Sequence, residues 1–194
     1  MGIPILFVAV LLRKQFAFPK GNEWWYFALL GFLGISFHQW LQSNGLQTAQ
    51  ATTTAWIIST SPAFIAVLGW LVLKEKLKLH QSMGIALAMC GVLAVVSKGD
   101  LEALAVGNFG TKGDFLILIS AVNWAVFSIL SRYGLKRHPS TLMTFWVMTL
   151  GWSFTCVAFA ASGKHAEIMQ LDLRGWMVMI YLGIFTTGLA YIAW

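Results

Sequence analysis

The side chains able to do chemistry in this chain are few, and most sit inside long apolar stretches. Ser36, His38, Gln39, Gln42 and Ser43 fall on about half the circumference of one helix at roughly 100° per residue, a face too polar to meet lipid. Two readings are open. The group can hydrogen-bond to neighbouring helices, at roughly 0.6 to 2 kcal/mol per contact, or line a water-filled path, the reading favoured for the cluster as a whole. His38 alone in the span interiors titrates near neutral pH, so proton coupling is one role for it; a neutral imidazole bonded to a neighbouring helix is the simpler one. Thr52 and Ser59, two helical turns apart, share a face that can line the same path. Ser120, Trp124, Ser128 and Ser131 form another face with Asn123 at its edge, a large amphipathic ring among small donors suited to a wall against a small solute. Trp124 also has the alternative of an interfacial anchor. Thr187, Tyr191 and Trp194 make a similar stripe near the end.

Bond-breaking chemistry finds no such grouping. No carboxylate lies within a span, and His80, His138 and His165 sit in separate connectors without metal-ligand or triad spacing. Cys90 and Cys156 lie singly in apolar runs and read as small buried hydrophobes. No Gly-x-x-x-x-Gly-Lys-Ser/Thr run is present to hold a nucleotide. No cofactor, no metal and no enzymatic activity are expected.

The elements that carry these residues are membrane spans. The chain of 194 residues is 58% apolar and 10% charged, against roughly 45–50% and about 25% in soluble domains. Stretches long enough to cross a bilayer run from Trp24 to Leu46, Ala51 to Leu73, Gln81 to Ser97, Phe115 to Ser131, Thr141 to Ala161 and Gly175 to Trp194. These lengths predict helices, since only helices and closed barrels satisfy their backbone in lipid. The opening run from Gly2 to Leu12 gives about 16 Å of helix, too short for a core of roughly 30 Å, and lacks the basic start and small-residue end of a signal peptide. Both ends are therefore expected to be cut from a longer chain.

Within the spans, Pro62 removes a backbone donor and frees the Ile58 carbonyl, so a kink is expected. Ser59, Thr60 and Ser61 can re-satisfy the backbone there, or the kink can serve as a hinge. Gly84, Ala88 and Gly91 present a small-residue face suited to close helix contact and to a homodimer. Glu75 ends its span between two lysines, where weak ion pairs and a gate or loop-fixing role are expected.

The connectors alternate in charge. Arg13, Lys14, Lys20, Lys74, Lys76, Lys78, Arg132, Lys136 and Arg137 lie on one side with Glu23 and Glu75, which makes that side cytoplasmic. Asp100, Glu102, Asp114, Glu167 and Asp172 mark the other. Although the net charge is +6, the bases come in short groups without a continuous face, so nucleic acid is not an expected partner; the lipid bilayer is. The glycine-rich stretch 99–112 is the expected linker between residues 1–98 and 113–194. Trp24 aligns with Trp176 and Gly31 with Gly183, in spans of opposite expected direction, which is the pattern of an inverted repeat.

From Gly31 to Lys98 the chain resembles the first half of an EamA domain: Gly31 and Gly34, a small-polar rise from Ala49 to Thr54, Pro62-Ala63-Phe64, Leu73-Lys74-Glu75-Lys76-Leu77, and Gly84 through Gly91-Val92. Gly113-Asp114, Asn123-Trp124-Ala125, Arg132, Tyr181-Leu182-Gly183 and Thr187-Gly188-Leu189-Ala190-Tyr191 resemble the second half. Lys74 stands where that family usually has glycine, and His38-Gln39-Trp40-Leu41-Gln42 is more polar than its general pattern. The resemblance, to EamA-type drug/metabolite transporters, implies an all-α ten-helix fold of two inverted five-helix repeats. Residues 1–98 would then be the end of the first repeat and 113–194 the start of the second. It implies a secondary carrier, an exporter of small amphipathic metabolites such as amino acids, in a cell membrane of the bacterial inner-membrane kind. Its cavity would be lined by His38, Gln39, Gln42, Thr52, Ser59, Asn123, Trp124, Ser128, Thr187 and Tyr191. The alternatives are a membrane-embedded enzyme and a non-transporting membrane subunit.

Overall fold

In the computed structural model, residues 2–97, 99–100, 110–163 and 172–183 are described. All regular elements among them are helical. They are α1 (Gly2–Leu12), α2 (Glu23–Gly31), a π-helical segment (Phe32–Phe37), α3 (His38–Gly45), α4 (Ala51–Ser59), α5 (Ser61–Leu73), α6 (Leu79–Val96), α7 (Lys112–Leu135), α8 (Ser140–Ala161) and α9 (Leu173–Tyr181). Ala51–Leu73, α6, α7 and α8 are each long and apolar enough to cross a membrane. The run from Glu23 to Gly45 is helical throughout, though not regularly α. The chain is a multi-pass membrane protein. Its exposed residues fit that solvent: Trp25 is 81% exposed, Leu79 79% and Val157 69%, a surface that lipid accepts and water does not. Of the stretch expected to span from Gly175, only residues up to Gly183 are described; Thr187, Tyr191 and Trp194 lie outside the described residues, as does most of the expected linker.

The chain divides into two compact units. The first comprises Met1–Ser36 and Tyr133–Trp194, and here α1 and α2 pack on α8. The α2–α8 crossing is close because neither helix has a side chain at the contact: a Cβ on Gly31 would lie 2.7 Å from the Gly151 nitrogen and the Val147 carbonyl oxygen. Just beyond, the Ser36 hydroxyl donates to the Gly151 carbonyl at 2.7 Å and lies 3.1 Å from Thr155 Oγ1. The π segment follows Gly31 directly and contains Ser36, whose hydroxyl reaches the Gly151 carbonyl. Ser36 thus takes the interhelical hydrogen bond that was one of the two readings of its face: its hydroxyl is committed to α8. Near the start of α8, Trp146 Nε1 donates to the Ala17 carbonyl at 3.0 Å, and the rings of Phe16 and Phe18 pack on Trp146.

The second unit is Phe37–Arg132. Its α4, α5 and α6 pack together, and Ile57, Val92 and Ile117 form a buried apolar cluster flanked by Ala49, Val96 and Leu118. The turn after α3 lies on the first residues of α7, where a Cβ on Gly113 would collide with the Gly45 carbonyl and the Ala49 nitrogen. A capping box opens α7: Asp114 Oδ2 accepts from the Thr111 nitrogen at 2.7 Å and Oγ1 at 2.8 Å, and the Asp114 nitrogen donates back to Thr111 Oγ1 at 3.1 Å.

Between Ala51 and Leu73 the helix breaks at Thr60, with Pro62 in the first turn of α5. The Ile58 carbonyl, left without its i+4 donor by Pro62, accepts from Ser61 Oγ at 2.7 Å, and Thr60 Oγ1 donates to the Ile57 carbonyl at 2.6 Å.

Candidate functional site

Only part of the set expected to line a cavity comes together. His38, the first residue of α3, lies against Trp124 of α7 with ring centroids 5.0 Å apart and planes inclined at 40°. The Phe127 ring also lies against the indole, with centroids 5.1 Å apart. Phe127 was not singled out from the sequence, although its spacing of three from Trp124 puts both on one helical face. Asn123, at the edge of that face, is buried at 8% exposure. Gln42, a turn beyond His38, is half-buried. The His38 imidazole faces the Ser120 main chain, and its Nδ1 is enclosed without a hydrogen-bond partner.

Two of the small hydroxyls of α7 are spent on their own helix. Ser128 Oγ donates to the Trp124 carbonyl at 2.8 Å and Ser120 Oγ to the Ile117 carbonyl at 2.7 Å, so neither is a free donor for a solute in this conformation. Gln39, Thr52 and Ser59 are exposed, and Ser59 Oγ donates to the Trp56 carbonyl at 2.7 Å. What remains is an aromatic wall of His38, Trp124 and Phe127, with the amides of Asn123 and Gln42 on the same two helices. Such a surface can stack on an apolar or planar group and offer the Gln42 amide beside it; among the described residues no group of His, Cys, Asp and Glu could hold a metal ion.

At the cytoplasmic end expected for this unit, Glu75 pairs with Arg132 of α7 at 2.7 Å and not with the lysines beside it in sequence. The reason is the backbone at Lys74, which closes α5 in the left-handed region at φ +54° and turns Glu75 back toward the helix. The Glu75 nitrogen donates to the Gly69 carbonyl at 3.3 Å, and a Cβ on Gly69 would lie 2.8 Å from Glu75 Oε2. Gly84 and Gly91 are exposed, with nothing within 4 Å of a Cβ at either, so the helix contact expected through them is not made among the described residues. The stripe faces outward on α6.

The EamA-like transporter family model matches residues 1–97 and 111–194. An "uncharacterized transporter" of Archaeoglobus fulgidus is 28% identical over all of this chain and 65% of its own length. The uncharacterized transporter YyaM of Bacillus subtilis is 26% identical over 87% of this chain and 55% of its own. A WAT1-related chloroplastic protein of Arabidopsis thaliana is 24% identical over 96% of this chain and 46% of its own length. The chain thus spans about two thirds of the first of these relatives and about half of the others. No solved structure matches it. With matches covering nearly its whole length, on helices long and apolar enough to cross a bilayer, the chain belongs to the EamA-like transporter family.

Proposed function

We propose that the chain is the central portion of a secondary carrier that exports small amphipathic metabolites, such as amino acids and related compounds, across a cell membrane of the bacterial inner-membrane type. The complete protein has ten helices in two inverted repeats, with residues 1–98 ending the first, 99–112 linking and 113–194 opening the second. The two repeats work by alternating access around a central cavity. The observation that carries this reading is the aromatic and amide surface of His38, Gln42, Asn123, Trp124 and Phe127 on helices otherwise made for lipid. Thr187 and Tyr191 complete the cavity in this proposal, and the break at Pro62 supplies a hinge. The small-residue face of Gly84 and Gly91 is the proposed homodimer contact; Cys90 is exposed on the same helix and reports it by cross-linking.

The test is flux through the full-length protein in proteoliposomes, over a panel of amino acids, purine bases and cationic drugs. At least one solute moves, and Trp124→Ala and Asn123→Ala each cut its flux by more than about tenfold, the equivalent of 1.4 kcal/mol. If the folded protein moves no solute, the carrier reading is lost.

A further inference from the structure

We infer that His38 is a proton-binding site, whose imidazolium form is held against the π face of Trp124, and this rests on the carrier reading above. Three observations converge on it. The Nδ1 atom of His38 is enclosed and has no hydrogen-bond partner, while the imidazole faces the Ser120 main chain, so one ring nitrogen is left unsatisfied. The Trp124 ring lies 5.0 Å from the imidazole, inside the range of about 6 Å over which an indole face attracts a cation. Among the described residues no charged side chain acts on the imidazole from any element packed against it: the groups that face it from α7 are the Trp124 ring and the Ser120 main chain. A carboxylate partner is the usual device for holding a proton inside a membrane helix bundle, and the described residues offer none here. The indole and the Ser120 main chain are the groups left to stabilise the cation.

The enclosure of Nδ1 has a kinetic consequence. Because the atom is shut off from solvent in this conformation, proton exchange waits on an opening of the site. The proton taken from water in the open state is carried on the ring nitrogen and returned to water unchanged, with no other bond made or broken. A proton site that loads only when the pathway opens is the minimal requirement for coupling solute export to proton entry.

The indole supplies its own reporter, since an imidazolium in contact with excited tryptophan accepts an electron and quenches its emission. Full-length protein in lipid nanodiscs is titrated from about pH 8 down to about pH 4, past the span in which an unperturbed histidine changes charge, and the Trp124 component is obtained by subtracting the spectrum of Trp124→Phe, or of Trp124→Tyr should the first not fold. Most of the Trp124 component is lost as pH falls, and His38→Gln, with His38→Asn as the second variant, abolishes that loss. A Trp124 component that stays flat across the range, or one that falls equally in the His38 variants, overturns the assignment. The emission needs no transported solute. Flux without quenching therefore removes the proton site and leaves the carrier, whereas quenching without flux of any solute removes the carrier and leaves the site.

Discussion

At the scale of single residues, the backbone conformations and close approaches make the firmest demands. Lys74 adopts φ +54°, a region that costs a residue with a Cβ about 1 kcal/mol and costs glycine little. Lys74→Gly therefore raises stability by up to about 1 kcal/mol, read as a higher unfolding midpoint in mild detergent; a lowered midpoint would show that the lysine side chain contributes more than the strain removes. Gly151 makes the opposite demand. A Cβ there would lie 2.6 Å from the Gly31 carbonyl oxygen and from Ile35 Cβ, atoms of a helix with no room to yield, so Gly151→Ala destabilises by about 1 to 3 kcal/mol. An unchanged midpoint would mean that α2 and α8 are not in contact at this crossing. His38, Gln42, Asn123 and Trp124 were legible as polar or amphipathic residues inside apolar runs, because their type alone marks them. The partner of Glu75 was not: Arg132 lies 57 positions away, and only the left-handed turn at Lys74 aims the carboxylate at it.

Elements show the same division between local and long-range causes. The stretches 51–73, 81–97, 115–131 and 141–161 were readable from apolar length, and helices occupy them with ends shifted by a few residues. The π segment was not readable: it follows the crossing of Gly31 on Gly151 and contains Ser36, bonded to the Gly151 carbonyl, and these are contacts between distant parts of the chain. The break before Pro62 lies between these extremes: the proline announces it, and Ser61 Oγ bonds the Ile58 carbonyl it frees. Ser61→Ala should then cost roughly 0.6 to 2 kcal/mol beside Pro62 and less in a Pro62→Ala background, where residue 62 regains its N–H. Equal costs in the two backgrounds would separate the hydroxyl from the proline. The Glu75–Arg132 pair joins α5 to α7 at its surface, with side chains 51% and 44% exposed, so a double-mutant cycle of Glu75→Gln and Arg132→Gln should give a coupling below about 1 kcal/mol. A coupling of several kcal/mol would mark a desolvated lock.

For the whole molecule, the distribution of polarity carries the argument. Lipid-facing positions such as Trp25, Leu87 and Val157 are exposed and apolar, while α3 and α7 bring His38 and Trp124 together and carry amides beside them. A bundle held only by structural hydrogen bonds would keep these groups dry at all times. A carrier must wet them from each side in turn. The direct measurement is thiol accessibility in the full-length protein: Gln42→Cys in a background where Cys90 and Cys156 are alanine, treated with a membrane-impermeant reagent from either side, with Val157→Cys as the lipid-facing control. Position 42 is labelled from both sides, more slowly with a transported solute present, and position 157 is not labelled. Protection of position 42 from both sides, equal to that of position 157, would contradict the carrier reading.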